Sequence, residues 1–150
     1  MKIGISVLSS MPIKDYTTKI PAARSIQEIQ ELLLKHGATG FMMMYEKGTG
    51  RISALKFILD LGDKHIPFQL PVDWRAFQRV LKEQQVKRWD EEDYCYRVAW
   101  RNIYHWVDSQ CALYETQMVQ IAQVFLPYAV TEDGSTIFEK IASNPKLLLG

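Results

Sequence analysis

Lys87, Arg88 and Trp89 stand side by side in the chain, with Arg75 and Arg79 before them and Arg97 and Arg101 after. Lysine and arginine neutralise phosphates, a guanidinium also stacks on bases, and an indole offers a further stacking face. Single-stranded nucleic acid prefers this combination. Lys87, Arg88, Trp89, Arg97 and Arg101 are therefore the residues expected to carry such a contact. The plainer alternative is a solvated helix face with local ion pairs, because Arg79 and Glu83 are spaced i,i+4 and Asp108 shares the face of Arg101.

Other groupings carry less chemistry. His105 lies three positions before Asp108, and a His–Asp pair orients an imidazole for proton transfer. No serine or cysteine nucleophile is placed to use it, and a surface histidine beside a carboxylate explains the spacing. His36 reads as a basic helix end, and His65 begins a strand with no visible partner. Asp90, Glu91, Glu92 and Asp93 are four consecutive acids, but neighbouring helix positions point apart and do not converge on a cation. They suit the positive end of a helix dipole instead. Lys47-Gly48-Thr49-Gly50 is glycine-rich, yet it joins two strands and lacks the helix N-terminus of a phosphate loop. Met42, Met43 and Met44 offer an adaptable apolar surface, or core packing. No catalytic residue, metal or cofactor is assigned, and for want of convergent polar groups the sequence leans away from an enzyme.

The 150 residues suit one domain, with a net charge of +1 from 18 basic and 17 acidic side chains. That balance carries no global nucleic-acid footprint, so any basic face must be local. Cys95 and Cys111 fall in one expected helix, about 24 Å apart along its axis, beyond disulfide reach. They read as buried thiols in a reducing compartment. No stretch approaches the ~18 uninterrupted apolar residues of a membrane span, and the expectation is a cytoplasmic chain without membrane contact.

The elements that must position these residues follow from pattern. Ile3–Val7 and Tyr16–Ile20 alternate as short strands. Ser25 and Glu28 have capping-box spacing, and Ile26, Ile29, Leu32 and Leu33 give the first helix its apolar stripe. Phe41–Glu46, Ile52–Leu61 and His65–Leu70 predict three strands in an antiparallel meander, with Pro67 confining the third to an edge. Asp73 caps a second helix. A third is expected from about Glu91 to Thr116, capped by Asp90, with Tyr96, Ala99, Trp100, Ile103, Trp106, Val107, Gln110 and Leu113 on one arc. Short helices are expected at Ile121–Leu126 and Thr136–Ala142. The fold class is α+β: a small antiparallel meander packed by an N-terminal helix and a long aromatic-rich helix, plus short helices. Residues 1–13 read as an N-terminal extension and 144–150 as a loose tail.

Several runs also resemble a family of small uncharacterised proteins of phage, prophage and metagenomic genomes. In the back half these are Arg97-Val98-Ala99-Trp100-Arg101, Trp106-Val107 and Val124-Phe125-Leu126-Pro127-Tyr128. In the front half they are Lys35-His36-Gly37-Ala38 and Ile66-Pro67-Phe68. The resemblance covers about residues 16–140 and implies no activity. It adds an expectation of context: a non-catalytic phage-type accessory protein that contacts nucleic acid in replication or recombination. The alternatives are a protein-interaction module (an inhibitor of a host factor or an assembly adaptor) and a small nucleotide-ligand binder. The partner classes admitted are single-stranded nucleic acid, a host or phage protein, and a second copy of the chain.

Overall fold

Pro21 has no N–H and a φ already suited to a helix start. Its carbonyl accepts from the N–H of Arg24 and Ser25 at 3.1 and 3.2 Å. In the computed structural model, which describes residues 11–149, helix α1 therefore spans Ala22–Lys35. This corrects the capping-box reading: Ser25 is inside the helix and fully buried. Glu28 pairs with Arg24 at 3.2 Å rather than reaching back to a cap. The strand expected over Ile3–Val7, with most of the N-terminal extension, lies outside the described residues.

The described chain forms two compact units, one of residues 11–29 and 72–108, the other of residues 30–71 and 109–149. In the first, the strand expected at Tyr16–Ile20 is a turn. Asp15 has φ 65°, Tyr16 N–H donates to Ile13 O at 3.2 Å, and Thr18 N–H donates to Asp15 O at 2.9 Å. Helix α2 spans Trp74–Glu83, and the Asp73 side chain caps it as expected by accepting from Ala76 N–H. Helix α3 spans Glu92–Glu115. It begins after Glu91, whose carbonyl accepts from Cys95 N–H at 3.1 Å, so Asp90 belongs to the preceding turn and is not the cap. The single apolar arc expected for α3 is also corrected. Trp100, Ala99 and Val107 are buried, but so are Tyr94, Cys95, Val98 and Arg101, while Leu113 is exposed. Burial around the whole circumference at residues 98–101 hides the one-sided stripe that periodicity assumes.

The second unit holds the expected antiparallel meander: β1 (Ala38–Tyr45), β2 (Ile52–Asp60) and β3 (His65–Pro71), in that spatial order. Alternation sets its faces. Leu55, Phe57, Leu59, Phe68 and Leu70 point into the core. Met42 opposes Lys56, and Ile58 opposes Pro67, so these four share the other face. Gly48 and Gly50 take positive φ, 88° and 69°, in the hairpin loop. Pro67 does lie in an edge strand. Its carbonyl accepts from Val130 N–H at 2.9 Å, which brings the segment after helix α4 (Ile121–Phe125) and the 3-10 turn Leu126–Tyr128 against that edge. Phe125 closes an aromatic core with Phe57 and Phe68, ring centroids 5.5 and 6.4 Å away. Helix α5 spans Ile137–Ser143, with Thr136 and Glu139 forming a capping box. One further helical turn, Lys146–Leu149, stands where a loose tail was expected.

The loop before α5 is tied by one carboxylate. Asp133 accepts from Ser135 N–H at 2.9 Å, Thr131 Oγ1 at 2.8 Å, Lys140 Nζ at 2.9 Å and the Ser135 hydroxyl. The hydroxyl and amide of Ser135, with Lys140 and Thr131, hold its carboxyl far below the ordinary range. A depressed carboxylate pKa stabilises the fold above the unfolded value, and this is lost progressively as pH falls from there through the folded one. The Ser135 amide resonance is expected to stay put from about pH 7 to about pH 4, where free carboxylates titrate, and to move only in stronger acid. Movement centred near pH 4 would contradict the assignment.

Candidate nucleic-acid interface

Helix α2 ends where Gln85 takes φ 58°, a left-handed position that turns the chain toward α3. Val86 N–H donates to Leu81 O at 3.0 Å, Trp89 N–H to Val86 O at 3.2 Å and Glu91 N–H to Arg88 O at 3.0 Å. The Trp89 carbonyl accepts from Gln78 Nε2 and Cys95 Sγ, both at 3.2 Å. Lys87, Arg88 and Trp89 are thus presented on a pinned turn, with Lys87 and Arg88 exposed and Trp89 half-buried. Lys82 Nζ stands 4.9 Å from the Trp89 ring centroid.

Beside this turn lies a groove of about 370 Å³, lined by Pro12, Tyr16, Thr17, Thr18, Lys19, Gln84, Gln85, Val86, Lys87, Arg88 and Tyr94. The segment before α1 is held there by side chains distant in sequence. Gln84 Oε1 accepts from Ile13 N–H at 2.8 Å, Asn102 Nδ2 donates to Lys14 O at 2.7 Å, and the Tyr94 hydroxyl donates to Tyr16 O. Lys19 and Tyr16 thereby join the basic turn. Neither stands out by pattern: the only local signal is an aromatic between two lysines, Lys14-Asp15-Tyr16 with Lys19 beyond. Among the described residues, neither Lys19 nor Lys87 has a carboxylate within ion-pairing distance.

The arginines fall into two settings. Arg88 and Arg97 both lie over the Tyr94 ring, at 5.0 and 5.7 Å from its centroid. Arg88 is also bound by Glu91 through Nε and Nη2, at 2.8 and 2.7 Å. This hydrogen bond raises the Arg88 pKa and lowers that of Glu91, with Arg97 drawing Glu91 further the same way. Arg101 is different. It is 9% exposed, its Nη1 reaches Ser25 Oγ at 3.4 Å and Glu28 Oε1 at 3.3 Å, and its guanidinium lies 4.0 Å from the Tyr104 centroid. It holds α1 and α3 of this unit together and presents little charge to solvent.

His105 pairs with Asp15 across 3.2 Å, not with Asp108, because the turn at Asp15 brings that carboxylate to α3. His36 is buried, with Nδ1 2.7 Å from Leu32 O, Nε2 2.9 Å from Glu115 Oε1, and its ring edge-on to Tyr114. It is a structural tie as well as a helix end. His65 is exposed. Among the described residues no three His, Cys, Asp or Glu side chains gather as a metal site, and no helix is long and apolar enough to cross a membrane.

Neither Cys95 nor Cys111 is in a disulfide and both are buried, as their helix positions implied. Burial pushes the Cys95 thiol up to about 11, so little thiolate exists near neutrality. The folded protein is expected to react with Ellman's reagent at about pH 8 only after denaturant is added. Prompt labelling of Cys95 without denaturant would show that this end of α3 opens readily.

Comparison of the chain with protein-family models, curated proteins and solved structures found no match.

Proposed function

We propose that this is a non-catalytic, phage-type accessory protein that contacts single-stranded nucleic acid along the groove between the residue 16–19 segment and the residue 84–91 turn. The observation that carries the reading is the pair of lysines, Lys19 and Lys87, that meet no carboxylate among the described residues, on a groove that also holds Arg88 and an exposed Tyr16. Cations that meet no carboxylate among the described residues are available for phosphates, and the exposed Tyr16 ring supplies stacking that tolerates any base. Arg97 supports the same patch from α3. Arg101 belongs to the interior and serves the fold.

Fluorescence-anisotropy titration with labelled single-stranded and duplex DNA and RNA, at two salt concentrations, tests this. Binding is expected to weaken steeply with salt, and Lys87→Ala is expected to lower the salt slope by about one on a logarithmic scale. Salt-insensitive binding, or none at low salt, would sink the reading.

A second reading rests on the outer sheet face. Met42 is 59% exposed and Ile58 39%, and they line an apolar hollow of about 310 Å³ with Gly40, Lys56 and Pro67. A protein-interaction module would use such a face. A partner retained at high salt by the wild type and lost by Met42→Lys would favour it over the first.

A further inference from the structure

The Arg88–Glu91 pair has a geometry with consequences for binding. Two parallel N–H···O bonds, 2.8 and 2.7 Å, join the guanidinium edge to both carboxylate oxygens. Phosphate oxygens engage arginine through the same fork. Both side chains are about half exposed, so solvent and solutes reach the pair. Arg97 approaches the same Tyr94 ring as Arg88, and its charge acts on Glu91 as well. One carboxylate thus answers two guanidiniums at the edge of a groove whose lysines meet no carboxylate among the described residues.

Resting on the reading that the groove takes single-stranded nucleic acid, we propose that Glu91 is an internal competitor for phosphate. It occupies Arg88 as a backbone phosphate would, and the nucleic-acid strand engages Arg88 by displacing it. Affinity is then set below what the three groove cations allow, and Glu91 is the residue that sets it. Displacement is feasible because an exposed pair three residues apart, in the turn that leads into α3, is weak.

The test titrates a fluorescein-labelled single-stranded oligothymidylate against the full chain and its Glu91→Gln, Asp90→Asn and Arg88→Ala/Glu91→Gln variants, with Arg88→Ala as reference. Asp90 carries the same charge one position earlier without bonding Arg88. Glu91→Gln is expected to tighten binding about two- to fivefold, the range open to an exposed ion pair. Asp90→Asn should change it by less, and the gain should vanish when Arg88 is already alanine. Tighter binding by Glu91→Gln where the wild type barely binds would also support the competitor role. Salt-dependent wild-type binding with Glu91→Gln no tighter, or no tighter than Asp90→Asn, overturns the competitor and leaves the groove standing. No binding by any variant at low salt overturns both.

Discussion

Phe57→Ala is expected to cost about 3–5 kcal/mol of stability, measured as a lowered urea midpoint in near-ultraviolet circular dichroism. Phe57 is 1% exposed at the centre of β2. Its ring stacks on Phe68 at 5.4 Å and meets Phe125 edge-on at 5.5 Å. Truncation removes the transfer energy of the ring and leaves a cavity bounded by two other rings, which backbone pairing on both sides of β2 keeps from collapsing. Since domains of this size have about 5–15 kcal/mol in total, the variant should be near its threshold at room temperature. Phe57→Leu should recover more than half of the loss. A cost under about 1 kcal/mol for the alanine variant would mean that the aromatic cluster is loosely packed.

Arg101→Ala is expected to cost about 2 kcal/mol, the scale of losing charge-assisted hydrogen bonds, while leaving oligonucleotide affinity within about twofold where the protein is folded. The guanidinium serves Ser25, which is fully buried, and Glu28. Its removal strands a buried hydroxyl and leaves Glu28 to Arg24 alone. Lys87→Ala should show the reverse pattern: unchanged unfolding and a reduced salt slope. Measuring both variants by thermal unfolding and by anisotropy separates the two roles. A folded Arg101→Ala protein with markedly weaker binding would return Arg101 to the interface.

Sequence and structure agree most closely in the sheet. Alternation in Ile52–Leu61 and His65–Leu70, the glycines of the hairpin and the proline of the edge strand all act over short distances. They specify a meander before any tertiary contact is known. Caps were mixed for the same reason. Asp73 and its partner Ala76 are three residues apart, and the motif was legible. Ser25 and Glu28 have an equally good local pattern, but a long-range arginine claims both, and Pro21 starts the helix earlier.

The chain by itself determined an α+β architecture, the strand order, the buried thiols and the basic turn at Lys87–Trp89, because each depends on residue types within a few positions. Only tertiary structure decided which charges are available. Arg97 and Arg101 are one helical turn apart and look alike in sequence, yet one joins Arg88 at Tyr94 and the other is buried against Ser25. Likewise Lys19 and Tyr16 reach the groove through hydrogen bonds spanning 71 to 88 positions. Spacing along a chain sets direction from the local backbone. Burial and counter-charge depend on what the rest of the fold brings to that side chain.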